Sequence, residues 1–323
     1  MAKIAEYTFN SSADTLPTFN AGFTYTYTDV DNGDNTITRT ITSNDLPSSI
    51  SFKGITGLVS LSYLDTSNVT SMRDMFYKCT NLTSLDVSNF NTSKVTNMDY
   101  MFADCNKLES IIGLDKFNTS NVINMNCMFS RCNNLSSIDV SNFDTSNVTD
   151  MEYMFQYCQS LTSLNVNNFN TINVTRMYGM FQYCTNLSTL DLSNFNTSNV
   201  TSMSHLFYGC TNLTSLDLSN FNTSIVTSMI ELFYNCKKIK SIKMKNSSTD
   251  TINDIISRLV YATNKGTIFI PSTVDLTVID KATATSNNFR ICYKPGFYDN
   301  TVAKHITIGN AKIKSISTGP TYL

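Results

Sequence analysis

Nine cysteines and a recurring column of carboxylates are the residues here whose chemistry could be put to work. Their spacing limits what that chemistry can be. Seven thiols fall at 79, 105, 132, 158, 184, 210 and 236, separated by 26, 27, 26, 26, 26 and 26 residues, while Cys127 and Cys292 stand outside the series. If successive stretches stack at strand spacing, equivalent Cα atoms come about 5 Å apart, within disulfide range. The set is odd in number, however, and bridges between adjacent coils would strain the stack. The thiols are therefore read as free, buried and acting as small hydrophobes. A zinc site needs ligands converging tetrahedrally on one point, and a linear ladder does not converge. No metal and no cofactor is expected.

The other polar residues offer binding rather than catalysis. An outward column reads Asp86, Asp139, Asn165, Asp191, Asp217 and then Lys243, flanked by Ser84, Ser110, Ser137, Ser163, Thr189, Ser215 and Ser241. Such a strip either grips a ligand by hydrogen bonds, a carbohydrate for example, or is simply a solvated face. Tyrosines including Tyr157, Tyr183, Tyr208 and Tyr234 gather around the cysteines. Tyr is enriched at recognition surfaces because it offers large area at small entropic cost; equally, these rings could only shield the coil edges. The segment "DVDNGDN" (29–35) hints at a calcium loop, but the twelfth position from Asp29, where an EF-hand needs a carboxylate, is Thr40. A hairpin turn is the preferred reading. The many Asn-x-Ser/Thr triplets, Asn68, Asn91, Asn118, Asn147, Asn196 and Asn222 among them, are read as stacked turns bonding backbone groups between coils. His205 and His305 belong to no visible motif, and His205 shares its column with Tyr100, Tyr153 and Gly179, which suggests a tolerated surface site. No nucleophile elbow, zinc-protease motif, phosphate loop or distinct carboxylate pair is visible, so an enzyme is not expected.

The positioning elements follow from the columns. Thr returns at 66, 92, 119, 145, 171, 197 and 223, Val at 69 to 226, Met at 72 to 229 and Phe at 76 to 233, always in step with Cys. A period of this size marks a solenoid, in which each unit buries its apolar face only against its neighbours. Within a unit, "LTSLDLSN" (213–220) fits the leucine-rich-repeat strand pattern, with Leu213, Leu216 and Leu218 inward. "VTSMIELF" then places Val226, Met229, Leu232 and Phe233 on one face of an expected short helix.

These units resemble the BspA-type leucine-rich repeats of bacterial surface proteins, in the subtype reading "LDLSNFNTSNVTxMxxMFxxC", over residues 54–247. The resemblance implies an extracellular binding or adhesion role. The segment "GTIFIPSTVDLTVIDKATATSNNFRI" (266–291) looks like a small module that follows such repeats in Gram-positive bacteria and their phages. No signal peptide is visible at the N-terminus, and a phage structural protein, released by lysis, needs none.

The fold class expected is α/β: a leucine-rich-repeat solenoid of about eight strands with short helical turns (54–247), an N-terminal β-hairpin cap (1–53, with a hairpin at 24–42) and a C-terminal α+β cap (248–323). In the last of these, 251–263 is expected as a helix and "TIFI" (267–270) as a strand. The net charge of −2 and a pI near 5.7 argue against nucleic acid or an anionic membrane as principal partner. No apolar run reaches a membrane span. Lys237, Lys238, Lys240, Lys243 and Lys245 form a basic stretch, read as a dock for an acidic partner or as protection of a sheet edge. The expected function is recognition or adhesion without catalysis, as a virion or cell-surface protein. Its partners would be a host-cell surface protein, a glycan or other virion proteins, and homo-oligomerisation would add avidity. The competing expectation is a structural decoration or connector protein.

Overall fold

The computed structural model describes residues 1–12, 16–246, 252–253, 255, 266–270, 289–293, 304–306 and 321–322. Packing divides the chain into two units, Met1–Phe169 and Asn170–Leu323.

The first unit opens with a four-stranded antiparallel sheet. Its strands are β1 (Ala2–Asn10), β3 (Thr26–Asp31), β4 (Thr36–Ser43) and β6 (Leu58–Leu64), in the order β3-β4-β1-β6; β2 (Thr18–Phe19) pairs separately with β5 (Ile50–Ser51). Gly33 (φ 76°) and Asn35 (φ 66°) take left-handed backbone in the four-residue loop between β3 and β4, which the Asn32 N–H closes on the Thr36 carbonyl at 3.1 Å, so the hairpin is present with a longer turn than the two-residue Asn-Gly type. The carboxylates of "DVDNGDN" serve this hairpin. Asp29 holds Arg39 through two 2.7 Å bonds, Asp31 accepts from the Gly33 N–H, and Asp34 accepts from the Thr36 N–H. Residues 58–64 start the repeat pattern in sequence but pair antiparallel with β1.

The coils that follow are not strand–helix units. The stretch from Met72 to Cys79 is a chain of tight turns. Every second N–H bonds locally: Met75 to the Met72 carbonyl, Tyr77 to Asp74, Cys79 to Phe76. The intervening N–H groups cross to the next coil: Met72 to Asn97, Asp74 to Asp99, Phe76 to Met101, Lys78 to Ala103, at 2.8–2.9 Å. Equivalent bonds link Met98–Asp104 to Asn124–Ser130, and Met125–Arg131 to Asp150–Gln156. The expected helical turns are thus corrected. An α-helix would spend every N–H beyond its first turn on its own i−4 carbonyls and could not pass alternate ones along its length to a neighbour. The apolar spacing of 3, 3 and 1 suits turns closed at i+3 as well as it suits a helix.

The alternation requires left-handed backbone twice per coil, at Asp74 and Lys78, Tyr100 and Asp104, Cys127 and Arg131, Tyr153 and Tyr157. Such a residue costs about 1–2 kcal/mol when it is not Gly. Four inter-coil bonds at about 1 kcal/mol each offset the two. Apolar burial then holds the stack. Phe52, Phe76, Phe102, Phe129 and Phe155 form a column with ring centroids 5.5–5.7 Å apart and interplanar angles of 10° or less. Phe90, Phe117 and Phe143 form a second. Among the described residues of these first-unit coils, strands occur at β7 (Ser84–Asp86) and β8 (Ser110–Ile112), which pair in parallel. The equivalent stretches at 137–139 and 163–165 are not strands, fewer than the leucine-rich pattern predicts.

The 27-residue coil absorbs its extra residue at Gly113. A 3₁₀ turn spans Leu114–Lys116, and Gly113 (φ 89°) precedes it. A Cβ there would lie 2.4 Å from the Ser88 backbone, so the close approach needs glycine.

The second unit repeats the turn ladder. Gly179, Phe181 and Tyr183 donate to Ser204, Leu206 and Tyr208; Met203, His205, Phe207 and Gly209 donate to Ser228, Ile230, Leu232 and Tyr234. Its strands β9 (Ser215–Asn222), β10 (Ser241–Asn246), β11 (Gly266–Ile270) and β12 (Phe289–Tyr293) run parallel, and β13 (Lys304–Ile306) and β14 (Thr321–Tyr322) pair antiparallel with β12. Because β10 lies between β9 and β11, Lys243 guards no open edge. The strand at 267–270 lies within β11. Of the helix expected at 251–263, Ile252, Asn253 and Ile255 are helical, with both isoleucines buried. Its other residues, and most of 266–291, lie outside the described residues.

Candidate binding surface

Each coil has three corners, and the polar columns build them. At the first, Asp86 Oδ1 accepts from the Ser88 N–H at 2.9 Å. Asp139 does the same for Ser141, Asn165 for Asn167, Asp191 for Ser193 and Asp217 for Ser219, all within 3.1 Å. At the second, Asn91, Asn118, Asn196 and Asn222 cap the residue two ahead. At the third, Asn97, Asn124 and Asp150 do so. Asx turns of this kind explain why Asp and Asn interchange in these columns.

The invariant Thr is the bolt between coils. Thr92, buried, donates to the Asn118 carbonyl at 3.0 Å and accepts from the Asn118 N–H at 2.8 Å. Thr66 with Asn91, Thr171 with Asn196 and Thr197 with Asn222 repeat the pair. Asn121, Asn147 and Asn199 add Nδ2 bonds to carbonyls one coil back.

The cysteine ladder is buried and unbridged: Cys79, Cys105, Cys132, Cys158, Cys184, Cys210 and Cys236 are free thiols, as is Cys127 outside it. Cys79, Cys105, Cys132 and Cys158 donate to the carbonyls of Phe52, Phe76, Phe102 and Phe129 at 3.0–3.2 Å, and Cys210 and Cys236 to those of Phe181 and Phe207. Burial pushes the Cys79, Cys158 and Cys210 thiols up to about 12, far from the reactive thiolate range.

Among the residues anticipated as ligand-binding, Ser84, Asp86, Asp139, Asn165, Asp191 and Asp217 are exposed. Each carboxylate or amide has one oxygen committed to its own turn. The Ser88 and Ser141 hydroxyls hold Asp86 and Asp139 below the usual carboxylate range. At Asp217 burial opposes ionisation, but the Ser219 hydroxyl and Lys243, 3.1 Å away, bring the net shift down. The column is also interrupted, since β8 places Ile112 in register with Asp86.

The tyrosines belong to two different columns. Tyr157 and Tyr183 are left-handed (φ 58° and 59°), whereas Tyr208 precedes the left-handed Gly209, and Tyr234 the left-handed Asn235. In the first unit Arg131 lies over the Tyr157 ring at 4.8 Å. In the second unit the rings converge. Tyr208 contacts Tyr183 at 5.0 Å and stacks on Tyr234 at 4.8 Å. Two residues the sequence did not single out as binding join them: His205, 5.4 Å from Tyr208, and Tyr178, 4.9 Å from His205. His205 Nε2 meets Glu231 Oε2 at 3.0 Å, and its side chain is only 17 % exposed, so this is not the indifferent surface position its column suggested. A Cβ on Gly209 would meet the Tyr183 ring at 2.6 Å, so glycine there lets that ring lie against the backbone. The 26-residue period pairs Tyr178 with Ser204 and Gly179 with His205, so the Tyr178–His205 contact joins neighbouring columns and column spacing alone does not give it. The result is a half-buried aromatic patch with one His–Glu pair, suited to contact rather than to bond breaking.

A family described as "Mycoplasma protein of unknown function, DUF285" matches residues 49–165 and 160–265, two thirds of the chain. The chain belongs to the DUF285 family. The match supports the resemblance to BspA-like repeats. This DUF285 protein has no match among curated proteins. Among solved structures it is similar to a leucine-rich repeat protein from Bacteroides ovatus ATCC 8483, at 13% identity and a TM-score of 0.28, over 84% of this chain and 81% of that one. No helix among its described residues is long and apolar enough to cross a membrane.

Proposed function

We infer that this chain is a recognition protein that works by surface contact without catalysis, displayed on a phage particle or a bacterial surface. It would bind a host-cell protein or glycan through its repeats. The observation that carries this reading is the aromatic patch of Tyr178, Tyr183, His205, Tyr208 and Tyr234, contiguous and half-buried on one turn edge. Large rigid rings give contact area at small entropic cost. The Asp column, by contrast, has a structural task in its turns. Tyr208→Ala combined with Tyr234→Ala should weaken binding of the protein to its host cells at least tenfold. Asp191→Asn with Asp217→Asn, which keeps the turns, should not. The reverse ranking would move the site to the strip, and loss of neither would refute binding through the repeats. The second reading, a connector or spacer in a virion or surface assembly, draws on the hydrogen bonding between coils within each unit. It predicts retention in purified particles with no affinity for cells.

A further inference from the structure

We propose that the N-terminal end of the first unit carries a second site, a pocket for one neutral sugar residue. A cavity of about 260 Å³ opens between the β2–β5 pair and the first turn coil, with Phe19, Ser49, Lys53, Ser71, Arg73 and Asp74 among its walls. That is many times the roughly 10–15 Å³ that a single water requires, so the space is large enough to take a small polar molecule. The reading is separate from the aromatic patch, which lies in the other unit.

The lining matches a polyol in three respects. First, its charge is compensated. Lys53 Nζ is 3.0 Å from Asp74 Oδ2, and Arg73 Nε lies 3.8 Å from Asp74 and 3.6 Å from Asp99. Each cation thus has a carboxylate partner, Asp74 in the wall and the buried Asp99 behind Arg73, which weakens the field that would select an ion. Second, donors and acceptors are mixed. A sugar hydroxyl both donates and accepts, and here Arg73 and Lys53 donate, Asp74 accepts, and the Ser49 and Ser71 hydroxyls do either. The Asp74 carboxylate is fixed by its left-handed backbone (φ 58°) and by the Lys53 bridge. Third, one wall is a flat ring. Phe19 is half-exposed and held by Phe23 at 4.8 Å and Tyr25 at 4.7 Å, presenting an apolar surface for the C–H face of a sugar ring.

The test is saturation-transfer NMR on the full chain, with glucose, galactose, mannose and N-acetylglucosamine each as probe and glucuronate as the charged comparison. At least one neutral sugar should give transfer, with millimolar affinity, about −4 kcal/mol. Phe19→Ala and Asp74→Asn should each reduce that signal at least tenfold. Asn tolerates left-handed backbone, so Asp74→Asn keeps the fold even if Phe19→Ala does not. Tyr208→Ala should leave the sugar signal intact, separating this site from the patch. No transfer from any neutral sugar, tighter binding of glucuronate, or signals that survive Asp74→Asn would each overturn the proposal.

Discussion

Replacing Thr92 by Val tests the claim that one hydroxyl per coil fastens it to the next. The two side chains have nearly the same shape, so packing is preserved. What disappears is a donor to the Asn118 carbonyl (3.0 Å) and an acceptor for the Asn118 N–H (2.8 Å). Each buried group left unpaired costs about 1–3 kcal/mol. Asn118 is itself exposed, so water can partly reach it, and the lower end applies. The expected loss is about 2–3 kcal/mol, which lowers the thermal midpoint by about 5–10 °C at 2–4 °C per kcal/mol. The same loss should raise hydrogen exchange at the Asn118 amide by about 30- to 150-fold, at tenfold per 1.4 kcal/mol. Thr92→Ser keeps the hydroxyl and loses one methyl, so it should cost about 0.8 kcal/mol and leave Asn118 protected. If Val were tolerated to within about 0.5 kcal/mol while Ser was not, the column would be explained by methyl packing, and the hydrogen-bond reasoning would fail.

Three further outcomes follow from the same geometry. Lys78→Gly, at an exposed left-handed position, should raise stability by about 0.5–1 kcal/mol in urea denaturation, since the relief of about 1–2 kcal/mol exceeds the entropic penalty of Gly; a loss of stability would contradict the strain assignment. Asp86, Asp139 and Asp144 have folded-state pKa values lowered chiefly by side-chain bonds from Ser88, Ser141 and Ser146, so their contribution is present above the unfolded carboxylate pKa near 3.9 and vanishes as pH falls through the folded value. Asp139→Asn should be nearly neutral at pH 7 and should flatten the acid limb of a stability–pH curve, because Asn165 already performs this task in the next coil. Finally, Cys132 and its ladder partners should resist alkylation in the folded chain and react only on unfolding, as burial keeps them protonated; fast labelling of the native protein would disprove the buried thiol ladder.

Much of this architecture is legible in the residues. The return of Cys, Phe and Met every 26 positions requires stacked coils with a common apolar spine. The turn function of the Asn-Thr-Ser stretch follows from the short polar side chains that cap such turns. The oddness of the coil at 106–132 is visible as one extra residue, though not that Gly113 would lie against Ser88. Other features could not be read. Val, Met, Met and Phe at 69, 72, 75 and 76 share a face in a helix and in a chain of i+3 turns alike, so periodicity alone cannot choose. The Asp column looked like a ligand-facing strip because alternation marks it as outward; that its oxygens close their own turns depends on a backbone bend two residues on.

What the sequence by itself determined is the repeat: its length and its buried columns. What only the tertiary structure decided is where the hydrogen bonds go. An N–H can be satisfied by its own coil or by the next, and the choice turns on a neighbour some 26 residues away that no local pattern describes. Once alternate N–H groups cross between coils, left-handed residues become obligatory, thiols and Thr hydroxyls meet carbonyls of other coils, and Tyr178, His205 and Tyr208 come together. The pocket beside Phe19 has the same origin, since β2, β5 and the first turn coil meet only when the chain has folded.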